Sequence, residues 1–250
     1  MPQGIQPLFL NRCIMKDLNS GEFEAALGYT FKNRELLQLA FTHTTYVFEH
    51  NMGHYLSNQR LEYIGDAVMD LVIGQKLYEI KPEADEGYLS KTRSIIVCER
   101  SFAAVARKLD MGSYLLLGKG EAQTGGTDKD STLADAFESI IAAVYFDGGF
   151  KEAERVVLTS LDSTIKDAID GKIFLDYKSR LLEIAQMKNN QHKIEFILVG
   201  ESGPAHLREF EVEVYADERF LAKAKGHSKK DAEQRGAEAA IQVYQEMFGV

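Results

Sequence analysis

Two pairs of carboxylates interrupt segments of the sequence that are otherwise apolar. Glu62 and Asp66 lie four residues apart in one segment, and Asp135 and Glu138 lie three residues apart in the other. Both spacings place the two acids of a pair on one face of a helix. Because apolar residues surround the first pair on most sides, we expect its helix to be buried and its acids to be withdrawn from bulk water.

Buried carboxylates without a partner are costly and take up protons. Three arrangements would make these acids tolerable: Arg or Lys partners in a structural cluster, exposure at the end of a bundle, or a shared divalent cation. A single pair would favour the structural explanation. The second pair has the small neighbours Ser131, Ser139 and Ala142 on its face. With two such pairs, the residues alone weigh evenly for and against a metal site.

The ligand types indicate which metal such a site would hold. Sites made only of carboxylate oxygens suit Mg²⁺ or Mn²⁺. A di-iron carboxylate bundle normally carries a Glu-x-x-His spacing, and neither Glu62 nor the pair Asp135 and Glu138 has a histidine at that distance. Three histidines within 43–54 belong to another segment. A di-metal redox protein is therefore the weakest hypothesis.

The elements that carry these acids form the first of two regions. From about 22 to 169 apolar residues recur at helical spacing almost throughout. Near Gly171 the pattern changes to a helix-like stretch, three strand-like stretches and a final helix. This order predicts a multidomain chain. An all-α domain at 22–169 precedes an α+β domain at 175–246, in which the order α-β-β-β-α gives one helix-covered antiparallel sheet.

The charge of the chain is unevenly distributed. A net charge of −9 argues at first against a nucleic-acid partner. Within 221–235, however, five basic residues stand against two acids. A local basic patch can bind phosphates even when the whole chain is acidic. Net charge therefore does not exclude nucleic acid.

Three features of the sequence indicate where in the cell the protein is located. Cys13 and Cys98 fit neither a metal nor a disulfide spacing, which indicates a reducing compartment. No apolar run reaches the roughly 18 residues that a membrane span needs. The first residues lack the basic stretch of a secretory signal. We therefore expect a cytoplasmic protein with no membrane partner.

Several segments together resemble one family. RLEYIGDAV (60–68) resembles the signature of the ribonuclease III family, and LADAFESIIAAVYFD (133–147) resembles its second acidic helix. THTTY (42–46) before the signature and DEGYLSKTRSIIV (85–97) after it also stand in the family's order. The resemblance covers 22–246. It implies an all-helical endonuclease domain that acts as a homodimer on double-stranded RNA. It also implies 5′ phosphates and short 3′ overhangs, no organic cofactor, and a role in processing ribosomal RNA and messenger RNA.

The resemblance also assigns roles to the acids. It implies that Asp66 and Glu138 are catalytic, and that Glu62, Asp135, Glu138 and Asp66 hold Mg²⁺, for which Mn²⁺ can substitute. Glu86 matches an additional acid of the valley in which the RNA lies. In such sites magnesium generates the attacking hydroxide and stabilises charge on the scissile phosphate.

The sequence departs from the family at Gln59, where most relatives have an acid. An amide keeps the size and can form hydrogen bonds, but it carries no charge. The four central acids are kept, which favours an active enzyme. The alternative is a non-catalytic scaffold of the same fold that binds double-stranded RNA, and such a scaffold has no reason to keep all four.

The second region resembles a double-stranded RNA-binding domain. The loop Gly203-Pro204-Ala205-His206 and the helix start at Lys229-Lys230 carry this resemblance. A helix N-terminus attracts phosphate through its free N–H groups and its dipole, and such domains read the shape of the duplex with little sequence preference. The residues expected to contact RNA are Lys178, Glu183, Gln186, His206, His227, Lys229 and Lys230.

Overall fold

The computed structural model describes residues 20–174, 176–187, 192–203 and 208–249. The chain divides after Ile173 into two compact units. This division falls between the two predicted domains, whose limits at 22–169 and 175–246 stay predictions. Each unit is described by itself.

The first unit is built from helices, as the apolar spacing predicts. They are α1 (Gly21–Leu27), α2 (Arg34–Ala40), α3 (Thr44–Glu49), α4 (Gln59–Ile80), α5 (Glu86–Ile96), α6 (Glu99–Lys108), α7 (Lys119–Gln123), α8 (Asp130–Gly148), α9 (Phe150–Ser160) and α10 (Asp162–Ile169). Two short 3₁₀ helices lie at His54–Leu56 and Met111–Tyr114. None of the described helices is both long enough and apolar enough to pass through a bilayer.

Helix α8 forms the centre of this unit. Its residues Phe137, Ile140 and Ile141 are fully buried, because apolar and small side chains surround the helix on nearly every side. Helices α4 and α6 pack against it. The second acid pair therefore lies on the most deeply buried helix of the unit.

Helix α4 is buried on one side only, so the prediction of a helix buried around its circumference is wrong. Met69 and Ile73 are fully buried against the core. On the other side Tyr63, Leu71 and Tyr78 are 77%, 58% and 73% exposed. These three residues, called the α4 apolar face below, are spaced to lie along one side of the helix. Within the described residues of the single chain nothing covers them.

The second unit has the predicted order α-β-β-β-α. It comprises α11 (Tyr177–Ala185), β1 (Ile194–Ser202), β2 (Glu209–Ala216), β3 (Arg219–Gly226) and α12 (Lys229–Phe248). The strands form an antiparallel sheet in the order β1-β2-β3. Alternation along β2 turns Val212 and Val214 toward the core and leaves Glu211 and Glu213 to pair with Lys223. The fold class predicted from the sequence is confirmed.

Candidate metal centre and nucleic-acid interface

Three of the predicted acids meet where α4 passes α8. Glu62 from α4, and Asp135 and Glu138 from α8, each offer one carboxylate oxygen, and these oxygens all lie within 4.8 Å of one another. All three residues are half-buried. Oxygen ligands gathered at this spacing suit a divalent cation.

Close contact between the two helix backbones makes this meeting possible. A Cβ atom placed on Gly65 would lie 2.0 Å from the main-chain oxygen of Glu138, so a larger residue does not fit there. Next to Glu138, the Ser139 hydroxyl shares its proton between the main-chain oxygens of Asp135 at 2.7 Å and Asn58 at 3.2 Å. These contacts hold the acid-bearing turns of α4 and α8 side by side.

The carboxyl groups of this cluster resist ionisation. Burial is the largest cause that raises the pKa of Glu62, Asp135 and Glu138. For Glu138, burial acts together with the negative charges of Asp66, Asp135 and Glu62, and raises the pKa to about 8. Asp66 itself is exposed beside the cluster. A divalent cation would offset both the burial of these charges and their mutual repulsion, and would therefore favour the ionised carboxylates.

Structural ion pairs do not account for the four acids. None of them forms an ion pair with any lysine, arginine or histidine that the structure describes; the four are Glu62, Asp66, Asp135 and Glu138. The positive charge of Lys129 lowers the pKa of Asp135 from a distance. The arrangement thus differs from the neutralised cluster that the sequence left open.

Glu99, at the first position of α6, is a further acid that sequence reasoning missed. Its charge contributes to the raised pKa of Asp135. In the sequence it is one of several acids at helix starts, so no local pattern connects it with α8.

Two other residues named from the sequence lie outside the three-carboxylate group. Glu86 is exposed at the start of α5 and accepts a hydrogen bond from the Ser90 hydroxyl at 2.7 Å. Gln59 is exposed at the start of α4. The single chain therefore assembles its cluster without either residue.

At the N-terminus of α12 the second unit presents a basic patch. His227, Lys229 and Lys230 are exposed. Ser228 caps the helix by accepting a hydrogen bond from the Asp231 N–H at 3.1 Å. Among the ion pairs of the described residues, neither lysine has an acidic partner. Both are free to meet phosphate beside the positive end of the helix dipole.

The remaining predicted RNA contacts differ in their surroundings. Glu183 and Gln186 are exposed on or next to α11. Lys178 already has partners within the unit: its Nζ lies 2.7 Å from Glu233 Oε2 and 4.8 Å from the centre of the Phe196 ring. His206 lies outside the described residues.

Comparison with known proteins covers both units. Residues 33–165 match the Ribonuclease-III-like family, and residues 177–244 match the double-stranded RNA binding motif. Ribonuclease 3 of Symbiobacterium thermophilum is 44% identical over 86% of this chain and 90% of its own length. Ribonuclease 3 of Listeria monocytogenes serovar 1/2a is 41% identical over 88% of this chain and 95% of its own length.

Solved structures of a nuclease domain resemble the first unit. A structure of the nuclease domain of ribonuclease III from Campylobacter jejuni, described for flexibility in a region involved in dimer formation, is 38% identical. It covers 58% of this chain and 97% of that chain, with a TM-score of 0.54. A second structure of the same domain, at 2.2 Å resolution, is 37% identical and covers 60% of this chain, with a TM-score of 0.54. Taken with the family match and the relatives that align over most of their length, this places the chain in the ribonuclease III family.

Proposed function

We propose that this chain is an endoribonuclease that hydrolyses double-stranded RNA with the help of Mg²⁺. One observation carries the proposal. Two helices bring carboxylate oxygens of Glu62, Asp135 and Glu138 within 4.8 Å of one another, with no cationic side chain paired to them among the described residues. A doubly charged ion bound to these oxygens would compensate the cost of burying several negative charges together.

The residues present fit such an ion. The donors are all oxygen atoms, which suits Mg²⁺ and allows Mn²⁺ to substitute. Glu62, Asp135 and Glu138 would hold the ion, and Asp66, exposed beside them, is open to an approaching phosphodiester. Magnesium in such a site supplies a hydroxide nucleophile and stabilises charge on phosphate. We assign Asp66 and Glu138 as the residues most directly engaged in catalysis.

The second unit would bind the duplex. The free lysines Lys229 and Lys230, with His227, lie at a helix N-terminus and suit phosphate contacts. Glu183 and Gln186 are exposed for contacts to ribose hydroxyls, and His206 and Lys178 complete the proposed set. The relatives named Ribonuclease 3 support an RNA-cleaving role. Cleavage leaving 5′ phosphates and short 3′ overhangs, in ribosomal and messenger RNA in the cytoplasm, belongs to the same proposal.

We further propose that two copies associate through the α4 apolar face. Its three large side chains are mostly exposed, and contiguous exposed apolar surface marks interaction sites. A twofold pair of this chain would set the face against itself. The Campylobacter jejuni nuclease domain, which resembles the first unit, is described as having a region involved in dimer formation.

A cleavage assay with matched substrates tests the enzymatic proposal. Long duplex RNA should be shortened by the protein with Mg²⁺ and left intact when EDTA is added, while the same strand alone is cut far less. Glu138→Gln keeps the size of the side chain and should abolish cutting while it leaves duplex binding in place. Retained binding by the unmodified protein without any EDTA-sensitive shortening would instead identify a non-catalytic scaffold.

A further inference from the structure

Asn58 brings a buried hydrogen-bond donor without a partner next to the acid cluster. The residue is 2% exposed, and its side-chain nitrogen Nδ2 has no hydrogen-bond partner among the residues that the structure describes. Buried polar groups are nearly always paired, because an unpaired donor has lost its bonds to water and gained none. An unpaired donor in a native structure therefore points to a water, an ion or a functional role.

The main chain of Asn58 is fixed from three directions. Its N–H donates to the main-chain oxygen of Thr42 at 2.8 Å. Its main-chain oxygen accepts from the Glu62 N–H at 2.9 Å and from the Ser139 hydroxyl at 3.2 Å. Glu62 belongs to the cluster, and Ser139 follows Glu138. The residue is thus held between the two acid-bearing turns, while its side-chain nitrogen Nδ2 has no partner among the described residues.

The side chain contributes nothing to the helix start at which it stands. Asn58 precedes the first residue of α4, a position where asparagine commonly caps a helix. Here its side chain makes no capping hydrogen bond. By contrast, the Asn33 side chain caps α2 by accepting from the Glu35 N–H at 3.0 Å. Helix capping therefore does not explain the Asn58 amide.

We propose that Asn58 is a positioning residue for the divalent cation site. With an ion bound, Nδ2 would donate a hydrogen bond to a carboxylate oxygen of the acid cluster and fix the orientation of that carboxylate. This inference rests on the proposed site at Glu62, Asp135 and Glu138. Groups that orient metal ligands in this way typically contribute 10- to 100-fold to metal affinity.

Nuclear magnetic resonance on the full chain tests the idea with the Asn58 side chain intact. With ¹³C,¹⁵N-asparagine and carbonyl-¹³C-serine labels, the backbone N–H of Asn58 is identified because Ser57-Asn58 is the only Ser-Asn pair in the sequence. The labelled carbons of Asn58 then connect this N–H to the side-chain amide. Titration with Mg²⁺ should shift the Asn58 side-chain resonance and slow its exchange with solvent. The Asn33 side chain should stay unchanged, and Glu138→Gln should remove the Asn58 shift. A side-chain resonance of Asn58 that stays in place at saturating Mg²⁺ would overturn the inference.

A substitution provides a second measurement. Asn58→Leu keeps the approximate size and removes the donor, so the ion-free protein should keep or raise its Tm. The Kd for Mg²⁺, measured by calorimetry, should rise at least tenfold. A Kd within twofold of the original value overturns the inference. If the variant does not fold, the magnetic resonance titration of the unmodified chain is the test of the inference.

The two proposals fail in different ways. Absence of any Mg²⁺ binding by the unmodified chain overturns both the cation site and the role of Asn58. Normal binding with an unaffected Asn58 amide overturns only the inference about Asn58.

Discussion

Gly65 and Glu138 are in backbone contact across two helices. A Cβ atom on residue 65 would lie 2.0 Å from the main-chain oxygen of Glu138, far inside any tolerable separation. Because Glu62 and Asp66 flank Gly65 within one turn, this contact sets the distance between the acid pairs of α4 and α8. The geometry of the cluster thus depends on a position that itself carries no functional group.

Gly65→Ala should destabilise the first unit and disable the cluster. Overpacking against rigid backbone costs about 1–3 kcal/mol or more, which exceeds the gain of about 1 kcal/mol from replacing a helical glycine. We expect a lower urea midpoint and at least a tenfold loss of RNA cleavage.

Gly74 on the same helix provides the matched control. Among the described residues, its added Cβ would meet only the flexible side chain of Arg93, at 3.7 Å from Nη1 and 3.9 Å from Cδ. Gly74→Ala should therefore raise the free energy of unfolding by up to about 1 kcal/mol. Equal effects of the two substitutions would show that helix packing at Gly65 is not the constraint.

The stability of the ion-free protein should fall as pH rises from about 4.5 to about 8. In this window the folded state keeps the proton on Glu138, whose pKa is raised from 4.5 to about 8, while the unfolded chain releases it. Stability decreases wherever the folded state binds more protons. Glu62 and Asp135, with pKa values raised in the same direction, add to the effect.

Urea unfolding at pH 5 and pH 8 in EDTA measures this dependence. We expect a loss of about 1–2 kcal/mol, well below the full linkage value because the carboxyl groups retain contact with water. Glu138→Gln should flatten the profile, and Mg²⁺ should restore stability at pH 8. A profile unchanged by Glu138→Gln would mean that this carboxyl ionises normally.

Combined Lys229→Ala and Lys230→Ala should weaken duplex binding mainly at low salt. Each phosphate contact releases counterions, so losing two contacts should reduce the slope of log affinity against log salt by about 2. Lys223→Ala is the control, because that lysine already pairs with Glu211 and Glu213. A salt slope identical to that of the unmodified protein would exclude both lysines from the RNA contact.

Leu71→Lys should disrupt the proposed dimer. A charge in the middle of the α4 apolar face would have to be buried without a partner on association. Sedimentation velocity should show a shift from dimer to monomer at equal protein concentration. Phe146→Lys, on an exposed position of α8, should leave the sedimentation coefficient unchanged. A monomeric unmodified protein would refute the proposed association directly.

Much of the architecture could be predicted from local patterns. The three- and four-residue spacings of the acids place each pair on one helix face, and the alternation of β2 anticipates its inner residues Val212 and Val214. Such patterns depend only on residues that are close in sequence, so they can be recognised without knowledge of the tertiary contacts.

Features that depend on distant residues could not be predicted. Gly236 lies inside α12, where a glycine ordinarily lowers the stability of a helix, but a Cβ there would lie 2.9 Å from Val214 Cγ2, so the glycine lets the helix approach the sheet. The pairing of Lys178 with Glu233, 55 residues away, depends in the same way on the tertiary fold. Exposure of Leu71 also escaped prediction, because an apolar residue on a helix does not reveal whether its cover comes from the same chain.

Helix α4 has an unusual consequence for how this protein tolerates sequence change. Its inner positions are constrained by packing, Gly65 by the backbone of a second helix, and Glu62 and Asp66 by their chemistry. Tyr63 is largely exposed, yet it lies directly between Glu62 and Ile64 in the chain and belongs to the surface proposed to meet a second copy. Solvent exposure, ordinarily a good guide to positions that accept substitution, is therefore a poor guide along this helix, and surface variants chosen on that basis will be unexpectedly harmful.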